Sequence, residues 1–178
     1  FCEADRLAAF REMICSDTVE ERTAALAKIR PYQQGDFGQL YEALEGMPVT
    51  IRFLDPPLHE FVPNTESEIA LLAKTQGKTV EQIKNIIASL HEFNPMMGHR
   101  GCRLAVTFPE IAEMQTRAVI RPAIHVQKRH ADWTVKPEIT TPLVGEVKEP
   151  KYVKDVAVAT AAAELKGDGG EMPYKAGP

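Results

Sequence analysis

An arginine and an aspartate three positions apart are the residues of this sequence best placed to do chemistry. Arg52 lies in the segment 48–54, whose apolar and polar residues alternate as in a β-strand. Asp55 follows directly and precedes two prolines, which end the strand. The carboxyl end of a strand is where α/β folds bind ligands. Arg52 and Asp55 could form an internal salt bridge, or an anion site in which the carboxylate orients the guanidinium; their spacing leaves both interpretations open.

Two histidines suggest metal chemistry at first sight, but their surroundings exclude it. His59 and His91 are each followed by glutamate, as in the zinc-protease pattern. A proline stands at positions 63 and 95, where the second histidine of that pattern would be. We therefore expect surface or supporting roles for both histidines.

A short loop between two glycines carries two further basic residues. Gly98 and Gly101 enclose His99 and Arg100, a GxxG arrangement that clamps nucleic-acid backbones in KH modules. The chain has 21 Lys and Arg against 25 Asp and Glu, a net charge of −4, and a single Trp. This composition argues against nucleic acid as a partner. A structural turn or an anion-binding loop is the better interpretation.

The three cysteines do not form a recognisable site. Cys2, Cys15 and Cys102 are an odd set without CxxC, so the spacing predicts neither a disulfide framework nor a zinc site. Cys15 and Cys102 have apolar neighbours and are expected to be buried. P-loop, GxGxxG and GxSxG motifs are absent. No run of residues is apolar enough to cross a membrane, and residues 1–6 carry mixed charge, so a secretory leader is not expected. These features predict a cytoplasmic protein with reduced thiols and no membrane partner.

Length and periodicity predict one α/β domain. The chain has 178 residues, of which 44% are hydrophobic and 26% charged, as in globular domains. Helical patterns and caps predict a helix over 3–14, one from Asp17 to before Pro31 and one from Asp36 to Gly46. They also predict a helical hairpin over 64–91 and a helix over 150–165. A further helix is expected to begin at Thr107 and to kink or end near Arg121 because of Pro122. The strands are expected at 48–54, 102–106, 137–144 and 172–176, with a loop at 167–170.

Long ordered motifs give the chain a resemblance to a known family. The segments 48–61 (PVTIRFLDPPLHEF) and 94–104 (NPMMGHRGCRL) closely resemble the pyruvate, phosphate dikinase family. Further matches are 109–118 (PEIAEMQTRA) and 137–145 (PEITTPLVG). The resemblance runs almost without a break from Phe1 to about Lys175.

The resemblance implies a fold and a reaction. The family interconverts ATP, pyruvate and phosphate with AMP, phosphoenolpyruvate (PEP) and pyrophosphate, using magnesium. Its phosphohistidine domain moves between an ATP-binding nucleotide domain and a C-terminal (β/α)₈ barrel. Residues 1–178 are accordingly expected to be a fragment of that PEP/pyruvate-binding barrel, a partial TIM-type barrel with a helical hairpin inserted at about 64–91. Arg52 is implied to be one of two arginines that hold PEP, and Asp55 the acid beside it.

The same resemblance implies that other functional residues lie outside the chain. The partner arginine is expected before Phe1, and the magnesium ligands and the catalytic cysteine beyond Pro178. We therefore expect no catalytic residue and no metal ligand within the chain, and an inactive isolated piece. Its partners would be PEP or pyruvate, the parent's other domains, and a second copy joined through exposed sheet edges. The alternative is a non-catalytic truncated paralogue that acts as an interaction or assembly module.

Overall fold

The computed structural model describes residues 3–168 and 171–178, so Gly169 and Gly170 of the expected loop lie outside the described residues. Within the described ranges the chain forms seven α-helices and three short β-strands. The helices are α1 (Ala4–Ile14), α2 (Val19–Leu44), α3 (Glu66–Gln76), α4 (Val80–Ser89), α5 (Cys102–Thr107), α6 (Pro109–Arg129) and α7 (Lys148–Asp168). The strands are β1 (Val49–Arg52), β2 (Pro137–Thr140) and β3 (Lys175–Gly177).

The three strands form one parallel sheet in the order β1-β2-β3. Arg52, Thr140 and Gly177 are neighbours in register, so the carboxyl ends of the strands meet at one edge. Helices α3 to α6 lie between β1 and β2 in the chain, and α7 between β2 and β3. Parallel strands with helical crossovers confirm the expected α/β class.

The chain divides into two compact units. The first comprises residues 3–29 and 56–100, and the second residues 30–55 together with 101–168 and 171–178. The first unit is helical, and the sheet belongs to the second. None of the helices in the described parts of the chain is long and apolar enough to cross a lipid bilayer.

A continuous hydrophobic core holds the second unit together. Side chains from the sheet, α5, α6 and α7 contribute to it: Ile51, Phe53, Cys102, Ala105, Ala112, Val119, Ile120, Ala123, Ile124, Val126, Val135, Ile139, Val153, Ala157, Ala161 and Met172. Tyr41 also lies in this core and donates a hydrogen bond of 3.1 Å from its hydroxyl to the Val119 carbonyl. Burial raises the pKa of Tyr41, so its hydroxyl stays a donor at physiological pH. Outside the core, Arg121 pairs with Glu164 and ties α6 to α7.

Local capping explains why the first unit contains a helical hairpin. The Thr65 hydroxyl accepts the Glu68 N–H at the start of α3, and Thr79 forms a capping box with Gln82 at the start of α4. Gly77 ends α3 in the left-handed conformation at φ +65°. The hairpin expected at 64–91 is therefore present, over 66–89.

Two prolines interrupt helices less than expected. Helix α2 continues through Pro31, so the two helices predicted from 17 to 46 are one. Positions 26, 29, 33 and 41 are all buried and share one helical face, which one continuous helix can satisfy. Helix α6 likewise runs through Pro122 to Arg129, because the buried residues on both sides of this proline keep it in the core. The expected end near Arg121 is wrong.

The predicted strand at 102–106 is wrong, since α5 covers these residues. Gly101 has φ +58° and its carbonyl accepts the Ala105 N–H at 3.1 Å, which starts a helix. A short apolar run does not by itself distinguish a buried strand from a buried helix. The residue that directly precedes α6 is Phe108 and not Thr107, whose hydroxyl donates to the Arg103 carbonyl at 3.0 Å. The strand expected at 137–144 is present but ends at Thr140, shortly before Leu143, which has φ +59°.

Lys78 connects the first two helices with the hairpin, and its removal should destabilise the first unit. Its Nζ donates to the Cys15 carbonyl at 2.5 Å and lies 2.8 Å from Asp17 and 3.4 Å from Glu21. The Lys78 side chain is 9% exposed. Because Lys78→Met leaves the carbonyl without this charged donor, we expect a loss of about 1–3 kcal/mol in the free energy of unfolding. Urea denaturation followed by circular dichroism measures it.

Lys84 provides the matched control. It pairs with Glu66 at 2.6 Å, but its side chain is 46% exposed and that of Glu66 75%. Lys84→Met should change the free energy of unfolding by less than about 0.5 kcal/mol, because exposed ion pairs contribute little. Equal losses for the two variants would contradict the role given to Lys78.

Candidate functional site

The sheet places Arg52 and Asp55 together at its carboxyl edge. Arg52 is the last residue of β1, and its Nη2 lies 3.3 Å from Oδ2 of Asp55. The Arg52 side chain is 62% exposed, whereas that of Asp55 is only 7% exposed. The pair is thus an ion pair whose cation still faces solvent, and both interpretations of the sequence motif are compatible with it.

The chain after β1 is attached to helix α6. Phe53 still donates to the Thr140 carbonyl at 3.0 Å, as the strand ladder would. The next amide, Leu54 N–H, donates instead to the side-chain oxygen of Gln115 at 2.8 Å. Gln115 is 6% exposed. A side chain from α6 therefore fixes the peptide that precedes Asp55.

A glycine allows close packing on the other side of Asp55. Gly101 has φ +58°, and a Cβ there would lie 2.8 Å from the Pro142 carbonyl oxygen and 3.2 Å from Oδ1 of Asp55. The same Pro142 oxygen accepts the Cys102 N–H at 2.9 Å. The loop that begins α5, the loop that follows β2 and the Asp55 carboxylate thus pack without room for a side chain at 101.

This arrangement suits the binding of an anion. A guanidinium presents several N–H donors in a plane and can bind phosphate or carboxylate bidentately. At Arg52 one nitrogen faces the Asp55 carboxylate, which limits the orientations of the group, and the exposed remainder can contact a ligand. The geometry can therefore bind an anionic group at the carboxyl edge of the sheet.

The amino-terminal side of the sheet carries a polar ladder with a structural role. The Glu138 carboxylate accepts the Thr50 hydroxyl at 3.1 Å and pairs with Lys175 at 2.8 Å, which links all three strands. These contacts hold the pKa of Glu138 below its usual range, and the contact with Lys175 has the largest effect. The Glu138 carboxylate therefore stays ionised and remains bound to Thr50 and Lys175.

The histidines and the GxxG loop have structural partners in the first unit. The rings of His59 and His91 stack with centroids 5.9 Å apart. The Glu92 carboxylate accepts the His99 N–H at 2.6 Å and lies where a Cβ on Gly98 would be. At the His99 amide the loop thus binds an anion from its own chain, which favours the structural-turn interpretation.

The described cysteines are buried, as expected. Cys15 and Cys102 are both 0% exposed. Burial raises the pKa of the Cys15 thiol to about 11 and also raises that of Cys102. Both stay protonated and unreactive at neutral pH, while Cys2 lies outside the described residues.

Two residues that contact the Arg52–Asp55 segment are not among those predicted for the site. The sequence places Gly101 in a turn and Gln115 in one of the family motifs, and neither pattern predicts the contact. Gln115 has a signal in the sequence, because it lies on the apolar face of a helix, four residues after Ile111 and four before Val119. A polar residue there needs a buried hydrogen-bond partner.

Comparison with known proteins agrees with the motifs. Pyruvate, phosphate dikinase of Clostridium symbiosum is 58% identical over 177 residues, which cover 99% of this chain and 20% of that protein. The Rhizobium meliloti enzyme of the same name is 48% identical over 171 residues, 96% of this chain and 19% of that protein. That of Giardia intestinalis is 41% identical over 177 residues, 99% of this chain and 20% of that protein.

The chain thus spans about a fifth of the length of these relatives. The model of the PEP-utilising enzyme family, PEP-binding domain, matches residues 1–177. With a match over nearly its whole length, the chain belongs to the PEP-utilising enzymes and corresponds to their PEP-binding domain.

Proposed function

We propose that this chain is part of a pyruvate, phosphate dikinase and contributes one side of its PEP/pyruvate site. The observation that carries the proposal is the exposed guanidinium of Arg52, held by buried Asp55 at the carboxyl edge of a parallel sheet. Ligands bind at this edge in α/β folds. The parent would interconvert ATP, pyruvate and phosphate with AMP, PEP and pyrophosphate.

In the proposed mechanism Arg52 binds the negatively charged groups of PEP and stabilises the negative charge of the transferring phosphoryl group. PEP carries a phosphoryl group and a carboxylate, and the guanidinium binds either by charge-assisted hydrogen bonds. During phosphoryl transfer it stabilises negative charge on the oxygens of the moving group. Asp55 orients the guanidinium before substrate arrives, so less reorganisation is needed in the transition state. The partner arginine and the catalytic cysteine would come from other parts of the parent, together with its phosphohistidine and nucleotide domains.

The proposed fold is a partial (β/α)₈ barrel over residues 1–178. Its support is the three-stranded parallel sheet, whose strands follow one another in chain order with helices between them. The hairpin α3–α4 would be the insertion between two barrel strands. A cytoplasmic location and association of two copies through the outer strands remain predictions.

The magnesium ligands of the parent are predicted to lie outside this chain. Among the described residues there is no group of three or more His, Cys, Asp or Glu side chains that could hold a metal ion. No observation favours the alternative of a non-catalytic assembly module.

The proposal predicts weak PEP binding by the 178-residue chain itself. With one arginine at the site, we expect a Kd of about 1 mM, roughly −4 kcal/mol, and no turnover. Titration with PEP, followed by NMR or calorimetry with and without Mg²⁺, measures it. Arg52→Ala should weaken binding at least tenfold.

Arg129 offers a matched control. Its side chain is also 62% exposed and also ion-paired, with its Nη2 2.5 Å from Glu42. Arg129→Ala should leave PEP binding unchanged. If both alanine variants lose the same affinity for PEP, binding depends only on the net charge of the chain and not on Arg52. Micromolar affinity that depends on Mg²⁺ would show that the chain is more than a partial site.

A further inference from the structure

We infer that Gln115 is a positioning residue for the proposed reaction, because it fixes the backbone through which Asp55 is held against Arg52. This inference rests on the proposed function of Arg52 and Asp55. Gln115 itself contacts neither the guanidinium nor a substrate in this role. It acts through the Leu54 peptide.

Gln115 is a buried polar residue. The side chain is 6% exposed on the face of α6 that also carries buried Ile111, Ala118 and Val119. A carboxamide in such a place destabilises the fold unless it is hydrogen-bonded. The described bond of its oxygen goes to Leu54 N–H, 61 positions away, at 2.8 Å. Helix α6 is thereby connected to the end of β1.

The amide that Gln115 binds lies between the end of the strand pairing and Asp55. Strand pairing with β2 still holds Phe53 through the Thr140 carbonyl, and Asp55 comes two residues later. The Leu54 amide is the only backbone N–H between them, and Gln115 binds it. The direction of this peptide sets where the Asp55 side chain begins. Catalytic geometry is sensitive to shifts of about 1 Å, which can lower rates about a hundredfold.

The Asp55 carboxylate has little freedom to move. Its Oδ2 lies 3.3 Å from Arg52, and its Oδ1 packs against Gly101 so closely that a Cβ there would be 3.2 Å away. A tilt of the Leu54 peptide would move the carboxylate either away from the guanidinium or into Gly101. Loss of the hydrogen bond from Leu54 N–H to Gln115 should therefore disturb the ion pair between Asp55 and Arg52.

The test uses the full-length dikinase that carries this chain. Gln115→Met keeps the length of the side chain and removes the acceptor oxygen. We expect kcat to fall about 10- to 100-fold. The matched control is Gln33→Met, because Gln33 is 8% exposed and its side-chain oxygen has no hydrogen-bond partner among the described residues. This control should keep kcat within about twofold.

A double-mutant cycle separates positioning from a purely structural role. If Gln115 acts through Asp55, Gln115→Met should change kcat less than twofold in an Asp55→Asn background. The same 10- to 100-fold loss in both backgrounds would overturn the inference, as would a normal kcat for the single variant. A wild-type enzyme without dikinase turnover, or an Arg52→Ala variant with full turnover, would instead contradict the proposed function.

A second variant covers the case in which Gln115→Met does not fold. Gln115→Glu keeps an acceptor oxygen at the same reach, and in this dry position the carboxyl is favoured in its neutral form. Its kcat should lie within about fivefold of wild type. A folded Gln115→Glu enzyme with a loss above tenfold would overturn the inference.

Discussion

Arg52→Ala, introduced into the full-length dikinase that carries this chain, is expected to lower phosphoryl transfer by about 10³-fold or more. The variant removes the charge that stabilises the transferring group, and it leaves Asp55 without the guanidinium 3.3 Å away. Because the Arg52 side chain is 62% exposed, the free energy of unfolding should change little. Steady-state rates of PEP formation measure the first effect and thermal unfolding the second.

Arg52→Lys tests whether shape matters as well as charge. A lysine ammonium cannot reproduce the planar fork of donors that binds phosphate or carboxylate bidentately. We therefore expect Arg52→Lys to lose at least about 10²-fold in rate. Arg129→Lys, at an arginine of the same exposure, should retain normal rates. Near-normal rates for Arg52→Lys would make Arg52 a structural residue.

Local signals in the sequence were sufficient for much of the fold. Thr65, Thr79 and Gly77 predicted the hairpin, because caps and left-handed ends depend on neighbours a few positions away. The alternation from 48 to 54 predicted β1 for the same reason. Pro31 and Pro122 predicted interruptions at which both helices in fact continue, because the packing that keeps each helix continuous comes from distant residues.

In the candidate site, too, a contact between residues close in the sequence could be predicted, whereas contacts between distant residues could not. Arg52 and Asp55 are three positions apart, so their pairing could be anticipated from the end of one strand. Gln115 lies 61 positions from Leu54, and Gly101 lies 46 positions from Asp55. Such contacts depend on how α6 and the loop before α5 pack against the sheet, and no local pattern encodes that packing. The periodicity of α6 places Gln115 on the apolar face of the helix, but it does not identify the partner of its side chain.

Gly101→Ala is expected to damage both the fold and the site. Gly101 has φ +58° with ψ −127°, a conformation that glycine adopts and other residues rarely do, so an alanine there is strained by about 1–3 kcal/mol. The added Cβ would also lie 2.8 Å from the Pro142 carbonyl oxygen, so the backbone of one of the two loops must move. Overpacking of this kind adds about 1–3 kcal/mol, so strain and overpacking together should lower the free energy of unfolding by about 2–6 kcal/mol. Urea denaturation of the 178-residue chain, followed by circular dichroism, measures it.

Gly77→Ala is a control in which a glycine at positive φ is replaced without a clash. Gly77 has φ +65° and ψ +23°, which is the left-handed helical region, and a Cβ there would have no neighbour within 4 Å. This variant should lose about 1 kcal/mol and leave turnover of the full-length enzyme unchanged. Gly101→Ala should in addition lower turnover at least tenfold, because the Asp55 oxygen 3.2 Å from the new Cβ is pushed out of its position beside Arg52. If both variants lose the same stability and keep the same turnover, the close packing at Gly101 does not position Asp55.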